Sequence, residues 1–210
     1  RDGRWLVART KIIDDLIAEA ISQGCDRVLN LAAGLDTRPY RLDLPSDLLW
    51  VEADLPDLVA EKEQLLAGGE TPALPALASR RRPCRSPALA RPSSTMLSPG
   101  ASKAFVLTEG LLMYLTDADV VGLSAAFQRP EIFWWTFDFG SGGIKATMND
   151  RTDGMMRNAP IKFGPPNGGR VLRRSRLVDG PHRTAVACGP PVSPTAAAVA
   201  AGGPVAAARS

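Results

Sequence analysis

The 210-residue sequence contains no G-x-G-x-x-G stretch, no long apolar run and only one histidine, His182. Each absence excludes something. Without about 18 or more consecutive apolar residues, no membrane-spanning helix is expected. No secretory signal is visible at the N-terminus. The missing three-glycine pattern weakens a pyrophosphate-binding loop and, with it, a nicotinamide-dependent dehydrogenase. A single histidine leaves little scope for His-based nucleophile or metal chemistry. Three cysteines, Cys25, Cys84 and Cys188, lie far apart and are odd in number. They form neither a disulfide framework nor a zinc pattern, so no metal is expected and a reducing cytoplasm is the expected home. The chain starts at Arg1 and not at methionine, which fits a fragment or a processed form. Its length suffices for one α/β domain with a real core, but not for two.

Two segments lack aromatics altogether and nearly lack acids. Residues 78–99 hold five Arg and no Asp or Glu; residues 168–210 hold six Arg and one acid, Asp179. Both are rich in Pro, Arg, Ser, Ala and Gly. The rest of the chain therefore carries a net negative charge beneath an overall +3. So sharp a split marks separate physical roles.

Outside those segments the pattern alternates. Ile12, Ile13, Leu16, Ile17, Ala20 and Ile21 recur at helical spacing over 10–22 with Asp14, Asp15 and Glu19 between them, and Gly24 follows as a stop signal. Arg27 to Leu31 reads as a strand running into Ala32-Ala33-Gly34-Leu35-Asp36-Thr37-Arg38. Leu48 to Glu52 reads as a second strand ending at Ala53-Asp54, and Pro56 opens a helix that stops at Gly68-Gly69. Lys103 to Thr108 is a third strand ending at Glu109-Gly110. Thr116 with Asp119 forms a capping-box pattern before a helix through Val120, Leu123 and Phe127. Ile132 to Phe139 is a further, aromatic-rich strand. The expected fold class is α/β, a doubly wound Rossmann-like sheet, incomplete where 78–99 and 168–210 fall. The expected domain is 1–168, interrupted at 78–99, followed by an atypical tail over 169–210.

Ligands of such sheets sit beyond the carboxyl ends of the strands. The Gly34 loop, Asp54 and Glu109 all fall there. Small side chains at Ala32, Ala33 and Gly34 let a ligand approach backbone N–H groups. An acid about 20 residues after the loop glycine suits the two hydroxyls of a ribose. Both NAD and S-adenosylmethionine carry such a ribose. The plainer alternative makes Asp54 an N-cap of the following helix.

Five ordered motifs carry a resemblance: Ala8-Arg9-Thr10; Ile13-Asp14-Asp15; Leu31-Ala32-Ala33-Gly34-Leu35-Asp36-Thr37-Arg38; Glu52-Ala53-Asp54-Leu55-Pro56 with Lys62; and Glu109-Gly110-Leu111-Leu112-Met113-Tyr114-Leu115. In this order they resemble the leucine carboxyl methyltransferase-like family of class I S-adenosylmethionine-dependent methyltransferases, especially its actinobacterial branch. The similarity covers roughly 1–72 and 100–168. Asn158 to Phe163 also resembles a family segment on the substrate side. The resemblance implies S-adenosylmethionine as cofactor. It puts Arg9 at the methionine carboxylate, Gly34 under the methionine part, Asp54 at the ribose hydroxyls and Glu109 near the ammonium. Asp36, Thr37 and Arg38 would shape the loop. Tyr114 would line the methyl-transfer cleft, and no catalytic residue is otherwise assigned. Plainer alternatives stand beside these: Arg9 pairing with Asp14 or Asp15 on its own helix, and Tyr114, Trp134 and Trp135 as packing residues. The implied partner is a small-molecule or protein-carboxylate methyl acceptor, with no membrane. A carboxylate acceptor needs no base, whereas a hydroxyl acceptor calls for one that the sequence does not offer.

The resemblance fails where a strand leading to an adenine-side Asp-Leu pair is expected; Ser79 to Ser86 stands there instead. It fails again after Gly168, where a Phe-rich helix and closing strands are expected. Both segments fit frameshifted translation of a GC-rich gene. Gly169 to Val178 can be encoded so that the next frame reads Gly-Val-Phe-Phe-Asp-Ala-Leu-Gly-Trp. Pro83, Pro87, Pro92 and Pro99 bar a normal central strand over 78–99, and 168–210 is close to disorder in composition. Exposed sheet edges, marginal stability and weakened adenine binding are expected. Rival expectations are an inactive methyltransferase-like remnant and a nucleic-acid-binding protein using Arg80–Arg91 and Arg170–Arg183. The missing aromatics argue against the latter, so no nucleic-acid partner is expected.

Overall fold

A computed structural model describes residues 4–67, 80–83, 103–138, 160–164 and 183–184. Helix α1 (Arg4–Ser22) precedes β1 (Arg27–Leu31), a short α2 (Arg38–Arg41), β2 (Leu49–Asp54), α3 (Pro56–Ala67), β3 (Arg80–Pro83), β4 (Ala104–Thr108), a 3-10 turn (Leu112–Tyr114), α4 (Asp117–Ala126), β5 (Ile132–Phe137) and β6 (Arg183–Thr184). The strands form one sheet in the order β3-β2-β1-β4-β5-β6, and every pairing is parallel. The chain runs outward from β1 to β3, then crosses back to place β4 on the other side of β1. That reversal opens a crevice at the carboxyl ends of β1 and β4, the usual ligand position in such sheets.

Parallel strands are covered on both faces and read as continuous apolar runs. Here β1 and β4 are buried at every residue. The pleat sends alternate side chains to two cores. Leu29, Leu31, Val51 and Val106 pack with Leu112, Val120, Leu123 and Phe163 on one face. Val28, Trp50, Phe105 and Leu107 pack with Ile13, Ile17 and Ala20 of α1 on the other. A large apolar side chain as deeply buried as Trp50 or Phe105 contributes roughly 1.5–3 kcal/mol.

The helix boundaries follow local chemistry. Gly24 adopts φ +87°, and α1 closes as a Schellman turn: Gly24 N–H donates to Ile21 O (2.9 Å) and Cys25 N–H to Ala20 O (3.0 Å). Helix α4 opens with the capping box read from the sequence, Asp119 N–H donating to Thr116 Oγ1 and Thr116 N–H to Asp119 Oδ2. Helix α1 starts earlier than the apolar period predicts. Leu6 and Val7 are 42% and 70% exposed, so the amphipathic signal is lost in the first turns while the helix continues.

Short edge strands extend the sheet on both sides. Arg80–Pro83 pairs with β2 at one edge, with Pro83 in its last position, and an edge strand tolerates a proline. At the opposite edge, Arg183–Thr184 pairs with Trp134–Trp135 of β5. The remainder of 78–99 and of 168–210, with His182, Gly68-Gly69 and Asn158-Ala159, lies outside the described residues.

Candidate functional site

The carboxyl end of β1 turns sharply. Ala32 takes φ +56° and Gly34 φ +50°, a left-handed conformation that costs an alanine about 1–2 kcal/mol. The turn is held by Ala32 N–H donating to Ala53 O at 2.7 Å and Asp36 N–H to Ala33 O at 3.0 Å. A Cβ built on Gly34 would meet no atom within 4 Å, so the space above the loop is open. That space belongs to a cleft of about 410 Å³ lined by Arg9, Thr10, Asn30, Ala32, Ala33, Gly34, Leu35, Asp36, Thr37, Arg38, Arg41 and Glu109.

Asp54 ends β2 beneath this loop and is almost fully buried. Its Oδ2 accepts from Gly34 N–H at 2.6 Å and its Oδ1 from Leu55 N–H at 2.7 Å. The carboxylate thus ties the loop of β1 to the end of β2. Neither donor is an amide of α3, which begins at Pro56, so these bonds differ from the N-cap arrangement considered above.

Arg9 reaches the same cleft from α1. Its Nη2 lies 2.8 Å from Glu109 Oε1 and its Nη1 2.6 Å from Asp138 Oδ2. The alternative of intrahelical pairing with Asp14 or Asp15 is not what forms. Asp15 takes Lys11, and Asp14 takes Arg38 and Arg41. Glu109 ends β4 and is gripped from its other side by Arg38 Nη1, 2.6 Å from Oε2. Gly110, at φ +68°, donates its N–H to Asp138 Oδ1. Tyr114 sits half-buried on the 3-10 turn and is not among the residues lining this cleft. Beside that turn, Lys162 and Phe163 donate their backbone N–H groups to Met113 O at 2.7 and 3.1 Å, and Phe163 is fully buried. Trp134 and Trp135 are buried in β5, Trp135 donating its indole N–H to Thr108 Oγ1 at 2.9 Å.

Arg38 is the residue whose part the sequence understated. Its guanidinium meets Asp14, Asp36 and Glu109 at 2.7, 3.0 and 2.6 Å. Burial works against its charge, but Asp36, Glu109 and Asp14 outweigh that and hold it firmly protonated. Asn30 secures Asp36 from below at 2.8 Å. Lys62 donates to both oxygens of buried Glu52 at 2.8 Å and to Asp36 O at 2.7 Å, fixing the loop backbone from α3.

A family model described as leucine carboxyl methyltransferase matches residues 3–127. The chain belongs to this family. A provisionally described S-adenosyl-L-methionine-dependent methyltransferase of Parafrankia sp. (strain EAN1pec) is 46% identical over 67 residues, covering 32% of this chain and 22% of that protein. One from Mycolicibacterium paratuberculosis is 38% identical over 112 residues, covering 52% of this chain and 36% of that protein. The chain thus spans between about a fifth and just over a third of the length of such relatives. Among solved structures, N,N-8-amino-8-demethyl-D-riboflavin dimethyltransferase from Streptomyces davawensis matches with a TM-score of 0.43 at 14% identity, covering 81% of this chain and 49% of that one. The family match spans all the strand-end residues up to Glu109; Asp138 lies beyond it. No described helix is long and apolar enough to cross a membrane.

Proposed function

We propose that the chain binds S-adenosylmethionine in the strand-end cleft and serves methyl transfer. One observation carries this reading: an open left-handed glycine loop and an Arg–Glu pair line one cleft, and a ribose-suited acid, Asp54, holds that loop from the end of the adjacent strand. The residues present suit the group. Gly34 leaves room for it, Asp54 supplies acceptors for ribose hydroxyls, and Arg9 and Glu109 supply opposite charges for a zwitterionic amino-acid end. When bound, the sulfonium supplies an activated methyl group. What the chain's own residues do is bind and align, which accounts for most of the benefit in such a transfer.

The acceptor we propose is a carboxylate, on a small molecule or a protein. It attacks as the anion, whereas a hydroxyl acceptor would need a positioned base. A cytoplasmic setting is proposed on the cysteine pattern. A donor-binding chain that transfers no methyl group is the second reading, favoured by the shortness of β3 and β6, four and two residues. Calorimetry of the full chain with S-adenosylmethionine, NAD and duplex DNA tests the proposal. One-to-one binding of the first alone is expected; binding of NAD or DNA in its place, or of none, refutes it. Transfer of a labelled methyl to a carboxylate panel then separates the two readings.

A further inference from the structure

A continuous ion-pair chain runs through the cleft lining by way of Arg38, Glu109 and Arg9. Its order is Asp14–Arg38–Glu109–Arg9–Asp138, with neighbouring distances of 2.7, 2.6, 2.8 and 2.6 Å. Its members come from α1, the start of α2, and the ends of β4 and β5. Arg38 and Asp138 have side chains only 4% and 3% exposed, against 16% and 17% for Arg9 and Glu109. Arg9 and Glu109 therefore meet solvent in the cleft, Arg38 lines it at much lower exposure, and Asp138 lies outside the lining. We propose that Arg38 and Asp138 are positioning residues that set Glu109 and Arg9 in place to receive the ammonium and carboxylate of an amino-acid-bearing ligand. This rests on the cofactor reading above and deepens it.

The geometry distributes the work. Glu109 offers one oxygen to each guanidinium, so Arg38 fixes its rotation as well as its place. Asp138 accepts from Arg9 with one oxygen and from Gly110 N–H with the other. It therefore couples the turn that carries Glu109 to the cation opposite. A planar, forked guanidinium spanning three carboxylates is not replaced by a neutral amide or a point charge.

The test uses the full chain and two ligands that share adenine and ribose: S-adenosylhomocysteine, which carries the amino-acid end, and methylthioadenosine, which lacks it. For Arg38→Gln and for Asp138→Asn, affinity for S-adenosylhomocysteine should fall about tenfold or more, as for loss of a charged hydrogen bond. Affinity for methylthioadenosine should move less than about twofold. A purely structural role would weaken both ligands alike, and that result, or no change in either, overturns the proposal. Two variants on separate elements keep the test open if one fails to fold. Wild-type chain that binds neither ligand refutes the cofactor reading itself; wild-type chain that binds both, with variants whose selectivity is unaltered, refutes only the positioning role.

Discussion

Replacing Asp54 with asparagine separates its two tasks, holding the loop and receiving a ribose. The carboxylate accepts two backbone N–H groups, from Gly34 at 2.6 Å and Leu55 at 2.7 Å, at a position 5% exposed. Asparagine keeps one oxygen, so one of these donors must face an NH₂ group. One charge-assisted bond is lost and a nearly buried N–H is left unsatisfied, together about 2–4 kcal/mol. For a chain of this size that lowers the melting temperature by roughly 5–15 °C without unfolding a domain of ordinary stability. The ligand effect is read on methylthioadenosine and on its counterpart lacking one ribose hydroxyl. Wild-type chain should prefer the ribose form by about tenfold, the worth of one hydrogen bond to a charged acceptor, and Asp54→Asn should bind the two nearly alike. An Asp54→Asn chain that melts as expected but retains the preference would show that Asp54 ties the loop and does not touch the ribose.

Other predictions follow from the same contacts. Lys62→Met removes the cation from Glu52, whose side chain is 3% exposed, and should cost about 3–5 kcal/mol in urea denaturation; adding Glu52→Gln should recover most of it, and a double variant no better than the single one would sink the argument. Burial raises the Asp14 carboxyl, but Arg41 and Arg38 outweigh it and hold the pKa below its ordinary 3.8. Its stabilising contribution is therefore complete above 3.8 and is lost as pH falls through the lowered folded value, so Asp14→Asn should flatten the acid limb of a stability-versus-pH curve. Thr116→Ala removes the acceptor for Asp119 N–H and should cost about 1 kcal/mol, seen as a melting decrease of about 2–4 °C. Cys25, with its thiol pushed up to about 11 by burial, should resist disulfide reagents until the chain is unfolded.

The strands and the α4 cap were legible because their causes are local. A run such as Arg27–Leu31 can be buried on both faces only in a covered sheet, and Thr116 with Asp119 is a contact across three residues. The loop and Asp54 were legible because their 20-residue offset reflects one strand-helix-strand step. The partners of Arg9 were not. Asp138 lies 129 positions away in sequence, and Arg38 reaches Glu109 across 71; no periodicity encodes pairings that exist only once β4 and β5 lie side by side. Asp138 carries no signal of its own in the sequence, because it falls within a predicted aromatic-rich strand whose character is set by packing. Lys62 belongs to a motif, but its burial against Glu52 depends on how α3 lies over β2.

The pairing of Arg9 with Glu109 changes what the proposed site demands of a ligand. If Arg9 and Glu109 were isolated charges, a zwitterionic amino-acid end would create two ion pairs from solvated groups. They are already paired with each other, so the ligand must exchange into an existing pair, with Arg38 and Asp138 keeping both charges compensated throughout. Removing Glu109 alone would leave Arg9 and Arg38 facing each other across the cleft with one carboxylate fewer between them. Desolvated like charges repel strongly, so Glu109→Gln should lower stability as well as affinity. Removing Arg9 alone would crowd Glu109 and Asp138 in the same way. Under the proposed cofactor reading, such an exchange suits a group carrying both signs at the spacing of the pair, an amino-acid terminus rather than a phosphate.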